Sequence, residues 1–204
     1  MIDHQLRKLI DPPLNAVAGR LPCSANQVSV GGFVIGLIAV PTIVTGHFWL
    51  ALLCISVNRI ADGLDGAIAR RVGPTNFGGY LDIVLDFIFY SAVIFGFALY
   101  DKDNAPWAAF LIFSFVGTGT SFLAFAALAG KLGLTTALRG RKSIYYLGGL
   151  TEGFETIATL LLMCVFPGHF WLIAAIFGIM CWMTTATRIL TAHDLLTSEG
   201  RNGT

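Results

Sequence analysis

The stretch Asp62-Gly63-Leu64-Asp65-Gly66-Ala67-Ile68-Ala69-Arg70 is followed, after seven residues, by Gly78-Gly79-Tyr80-Leu81-Asp82-Ile83-Val84-Leu85-Asp86. It sets four carboxylates among segments apolar enough to lie in a bilayer, where charge is expensive and marks a working site. Asp62, Asp65, Gly66 and Ala69 fall at i, i+3, i+4 and i+7, one stripe of a helix. Gly78, Asp82 and Asp86 fall at i, i+4 and i+8, one stripe of the next. An antiparallel hairpin of the two helices would let all four carboxylates meet in one small volume.

The rest of the chain supplies the membrane. Of its 204 residues, 55% are hydrophobic and 12% charged, with a mean hydropathy of +0.74; a soluble domain carries about 25% charged residues. The fold class expected is an all-α integral membrane protein forming a single domain over 1–204. Residues 1–21 are expected to be a juxtamembrane segment whose amphipathic helix places Leu6, Leu9 and Ile10 on one side, followed by a turn at Pro12-Pro13. Six transmembrane helices are expected within 27–192: Gln27–Gly46, Phe48–Ala69, Gly79–Tyr100, Trp107–Ala129, Ile144–Phe166 and Phe170–Ala192. Each is near the roughly 20 residues that a bilayer core requires. Pro41 should kink the first. Gly32-x3-Gly36 and Gly149-x3-Gly153 read as close-packing helix faces.

Of the 13 Lys and Arg residues, Lys102 alone falls on one side of this layout. The positive-inside rule then makes both termini cytoplasmic and sets the carboxylates toward the cytoplasmic half. A net charge of +1 gives no reason to expect a nucleic-acid partner. The cysteines, Cys23, Cys54, Cys164 and Cys181, have neither metal nor redox spacing and read as packing residues.

Several carboxylates in low dielectric repel one another, and divalent cations relieve this. Oxygen-only donors suit hard ions such as Mg, Mn or Ca, and the absence of His and Cys argues against zinc. Four carboxylates can hold two metals about 4 Å apart, an arrangement suited to phosphoryl chemistry, with one carboxylate left to take a proton from a nucleophile. Gly63, Gly66 and Ala69 leave room for close substrate approach, and Arg70 can contact a phosphate.

The pattern D-x2-D-G-x2-A-R-x7–8-G-x3-D-x3-D resembles the signature of the CDP-alcohol phosphotransferase (CDP-alcohol phosphatidyltransferase) family. Asp62, Asp65, Gly66, Ala69, Arg70, Gly78, Asp82 and Asp86 match every fixed position, and the chain resembles small bacterial inner-membrane members. The resemblance implies that Asp62, Asp65 and Asp82 ligate two divalent cations, Mg or Mn, with Ca as a non-productive substitute. Asp86 would be the general base, near the second metal. Gly66, Ala69 and Gly78 would line the cytidine pocket beside Asp62, and Arg70 would contact the diphosphate. Asn26, in an Asn-x2-Ser pattern with Ser29, would help hold the nucleotide; it can equally cap the first span. A homodimer in the bacterial inner (cytoplasmic) membrane is also implied.

The activity implied is transfer of a phosphatidyl group from CDP-diacylglycerol to an alcohol, with release of CMP, in phospholipid synthesis among membrane lipids. One alternative is another CDP-alcohol, a soluble one, giving its phosphoalcohol to a lipid acceptor. A different class is a divalent-cation transporter, which the absence of internal repeats disfavours. Members of the family that use phosphorylated acceptors often carry charged residues near the end of span four; residues 121–130 are uncharged here, and the resemblance therefore argues against a small phosphorylated acceptor. Candidates for reading the acceptor headgroup are Arg139, Arg141, Lys142, Glu152, Glu155 and Arg188, although the basic run also suits anchoring at anionic lipid and the glutamates could pair internally with Arg188.

Overall fold

The computed structural model describes residues 12–131 and 149–202, and among them every regular element is helical. Helix α1 spans residues 12–18. Pro12 and Pro13, where the sequence suggested a turn, are helical in the described part of the chain. Leu14 and Ala18 pack with Ala67 and Ile68. The Leu6, Leu9 and Ile10 face lies outside the described residues.

α2 (Ala25–Leu37) is capped by Ser24, whose hydroxyl accepts from Gln27 N while the Gln27 side chain accepts from Ser24 N. This reciprocal box satisfies two orphan donors of the helix start. The helix breaks at Ile38 and resumes as α3 (Ala39–Val44). Pro41 explains the break: it offers no N–H to Leu37 O, and its ring crowds that carbonyl.

α4 (Phe48–Val72) and α5 (Asn76–Tyr100) each run 25 residues. Gly73, at φ +105°, ends α4 in a conformation that suits glycine. Thr75 then caps α5, accepting from Gly78 N at 3.0 Å. A 3₁₀ turn (Lys102–Asn104) leads into α6 (Ala105–Lys131). α7 (Gly153–Val165) and, after a 3₁₀ turn (Pro167–His169), α8 (Phe170–Asn202) complete the described chain. Gly153 begins α7, so Gly149 and Gly153 do not share a helix face as the sequence suggested; Gly149 packs instead on Thr184 of α8.

Among the described residues, four segments are long and apolar enough to cross a bilayer: Ala25–Val44, Asn76–Tyr100, Lys102–Lys131 and Pro167–Thr197. α4 has the length, but Arg59, Asp62, Asp65, Arg70 and Arg71 lower its apolarity. The main core joins α3 to α8 through Ile43, Ile55, Phe97, Leu111, Met163 and Phe170. Phe97 stacks on Phe170 at 4.7 Å between ring centroids. Large apolar side chains such as Val34, Leu53, Phe95, Phe113 and Ile179 point outward, the inverse of a water-soluble surface.

One packing detail positions the carboxylates. α2 lies along both α4 and α5. A Cβ on Gly32 would collide with Ala61, and one on Gly36 would press on Asn58 and Phe89. The two glycines therefore let α2 lie against the turn of α4 that precedes Asp62.

Candidate functional site

α4 and α5 deliver their acidic stripes to a common cavity. Carboxylate oxygens of Asp62, Asp82 and Asp86 lie within 4.8 Å of one another. The cavity is also lined by Asp65, Ser29, Phe33, Asn58, Arg59 and Leu85. The i, i+3 and i, i+4 spacings thus place each pair on one face, and the hairpin turn at Gly73-Pro74 brings the faces together.

Asp65 has a separate setting. Only 7% exposed, it accepts the Ser29 hydroxyl at 2.5 Å. Ser29 comes from α2, so a helix outside the α4–α5 hairpin aims the fourth carboxylate. The donors that converge here are oxygens, and no His or Cys lines the cavity among the described residues. Such a set accommodates a hard divalent cation.

Arg59 was missed by the sequence analysis, where it counted only toward orientation. It lies one turn before Asp62 and is 11% exposed. Nη2 donates to Asp86 Oδ1 at 2.8 Å, and Nη1 stands 3.6 Å from Asp62 Oδ2. Nη1 also donates to the Tyr90 hydroxyl at 3.1 Å, which itself donates to Asp86 Oδ2 at 2.8 Å. Both oxygens of Asp86 are therefore engaged. Asn58 Oδ1 accepts from Nε and Nη2, and the guanidinium lies 5.1 Å from the Phe89 ring centroid and 5.4 Å from that of Tyr90. The signal available in sequence was an arginine inside an apolar helix at i−3 from an acidic stripe.

The remaining candidates fall into three groups. Asn26 stands beside Gly78: a Cβ there would lie 3.2 Å from Asn26 Oδ1 and 3.0 Å from Thr75 Oγ1. Because Ser24 is the α2 cap, the capping alternative for Asn26 does not hold. Gly66, Ala69 and Arg70 follow on α4, with Arg70 exposed and its guanidinium 3.4 Å from where a Gly66 Cβ would stand.

Glu152 and Glu155 form a capping box that starts α7. The internal pair suggested with Arg188 is not among the ion pairs of the described residues. Arg188 instead donates to Thr118 O on α6 at 3.0 Å and lies over Phe122. Neither glutamate, nor Arg188, lines the aspartate cavity. Arg139, Arg141 and Lys142 lie outside the described residues.

Known proteins share this arrangement of helices. The solved structure of Mycobacterium tuberculosis phosphatidylinositol phosphate synthase with CDP-DAG bound superposes with a TM-score of 0.70 at 18% identity, covering 91% of this chain and 94% of that one. The same enzyme in complex with manganese and citrate gives 0.68 at 22% identity, over 89% of this chain and 88% of that one. At these identities the likeness is one of fold. In sequence, inner membrane protein YnjF of Escherichia coli (strain K12) is 46% identical over 98% of this chain and 100% of its own length. Phosphatidylinositol phosphate synthase of Mycobacteroides abscessus is 28% identical over 94% of this chain and 81% of its own. Residues 23–192 match the sequence profile described as CDP-alcohol phosphatidyltransferase. That match runs from just ahead of α2 into α8 and takes in both acidic stripes, so the chain belongs to the CDP-alcohol phosphatidyltransferase family.

Proposed function

We propose that this enzyme transfers the phosphatidyl group of CDP-diacylglycerol to an alcohol and releases CMP. The observation that carries the reading is the meeting of Asp62, Asp82 and Asp86 in one cavity on this family's fold. The CDP-DAG bound to the M. tuberculosis enzyme supports the donor, and the manganese bound to it supports a divalent cation. Family membership sets aside the transporter alternative.

Asp62, Asp65 and Asp82, with Asp86 at the second metal, would hold two cations, Mg or Mn, with Ca as a non-productive substitute. When bound, such ions offset the diphosphate charge and stabilise CMP as the leaving group. Asp86 takes the proton of the acceptor hydroxyl as that oxygen forms its bond to the phosphatidyl phosphorus. The bridging P–O bond breaks, and its electrons leave with CMP. Arg59 and Tyr90 each donate to one oxygen of Asp86, and the carboxylate keeps further lone pairs to accept that proton. Asn26 and Gly78 would bound the cytidine together with Asp62, Gly66 and Ala69, while Arg70 would reach the diphosphate. Arg139, Arg141, Lys142, Glu152, Glu155 and Arg188 are assigned to the acceptor side.

We place the enzyme in the bacterial inner membrane, in line with its E. coli relative, as a single domain over 1–204 and a homodimer. The six spans would contain α2 with α3, α4, α5, α6, α7 and α8 in turn, all behind an N-terminal juxtamembrane segment. Purified protein with CDP-diacylglycerol, a panel of alcohols and Mg or Mn should release CMP and yield a new phospholipid by mass spectrometry. CMP release from a soluble CDP-alcohol and not from CDP-diacylglycerol would overturn the donor assignment.

A further inference from the structure

We propose that Arg59 is a positioning residue that serves as the site's built-in counter-cation: it holds Asp86 and Asp62 in the metal-free enzyme and yields them when a divalent cation binds. The inference rests on the divalent-cation reading above.

Geometry supports both halves of this role. The guanidinium bonds Asp86 Oδ1 at 2.8 Å and stands 3.6 Å from Asp62 Oδ2, so one group bridges carboxylates of two helices. These are two of the three aspartates that converge on a common point. A cation arriving there competes with Arg59 for the same oxygens. Release need not set the arginine adrift. Asn58 Oδ1 holds its Nε and Nη2, and the Phe89 ring lies 5.1 Å from the guanidinium, both independently of the aspartates. The side chain thus has anchors that survive the loss of its ion pairs. Tyr90 completes the latch by donating to Asp86 Oδ2 while accepting from Arg59 Nη1.

A latch and a structural brace differ in sign. Removing a brace loosens the site and weakens cation binding, whereas removing a competitor strengthens it. The test is Mn titration of EDTA-stripped, detergent-purified full-length protein, followed by electron paramagnetic resonance, for wild type, Arg59→Gln and Tyr90→Phe. A charge-assisted contact of this type corresponds to a factor of about 10 or more in an equilibrium constant. Arg59→Gln should therefore bind Mn about tenfold or more tightly than wild type, and its melting temperature should differ more between EDTA and Mn. Wild type that binds Mn alongside Arg59→Gln that binds it equally or more weakly overturns the latch and leaves the metal site standing. Wild type that binds no Mn overturns both. If Arg59→Gln does not fold, Tyr90→Phe decides: it keeps the ring but loosens both partners, so tighter Mn binding supports the latch and equal or weaker binding overturns it.

Discussion

Asp86 and Asp65 show how equal residue types acquire different settings. Asp86 is held by a tyrosine and an arginine on the side of the cavity shared by α4 and α5. Asp65 is buried against α2 through Ser29. Both are proposed metal contacts, and Asp86 is in addition the proposed base beside the acceptor hydroxyl. Asp86→Asn is therefore expected to retain metal-dependent binding of a CDP-lipid analogue, measured by calorimetry, while single-turnover transfer slows by about 10²–10⁴-fold, the usual contribution of a general base. Asp65→Asn should lose the metal-dependent binding as well. Near wild-type turnover by Asp86→Asn would move the base elsewhere. The spacing in the sequence identified these aspartates. It carried no sign that one would be paired with Ser29, because that depends on a residue 36 positions away.

At the scale of helices, α2 controls the site without carrying any of its carboxylates. Its glycines differ in what they face. Gly32 meets Ala61 of α4, while Gly31 has nothing within 4 Å. Gly32→Val should push α2 from α4, cost about 1–3 kcal/mol as an overpacked contact and lower transfer activity by displacing Ser29. Gly31→Ala should leave activity intact and be neutral or stabilising by up to about 1 kcal/mol, since alanine is the better helix former. Thermal unfolding and CMP release on the two variants check the pair; equal effects would remove the packing argument. The Gly32-x3-Gly36 stripe was legible because a small residue every fourth position admits a neighbouring backbone. The second glycine stripe misled because Gly153 stands at a helix start, where its spacing from Gly149 has no helical meaning.

Over the whole molecule, the proposed topology makes a directional claim. Lys102 lies in the connection between α5 and α6, and that topology would put the other basic residues on the opposite side. In a cysteine-free background of intact cells, a cysteine at position 103 should react with a membrane-impermeant maleimide, and one at position 71 only after lysis. Labelling of position 71 from outside would reverse the orientation and put the aspartates nearer the opposite membrane face.

By itself, the sequence determined the all-helical character, four apolar segments long enough to cross a bilayer and the two acidic stripes. These follow from hydropathy, segment length and helical spacing, all properties of neighbouring residues. The family pattern was likewise legible, because its fixed positions lie within one hairpin. Only the tertiary structure decided that Ser29 seats Asp65, that Asn26 stands by Gly78 and that Arg59 occupies the aspartates' charge. It also placed Glu152 and Glu155 at a helix cap, where pairing with Arg188 had been the alternative to an acceptor role. Such partnerships depend on which helices approach one another and at what depth. Small residues such as Gly32 and Gly36 permit that approach, and no periodicity within a single helix encodes the partner across it.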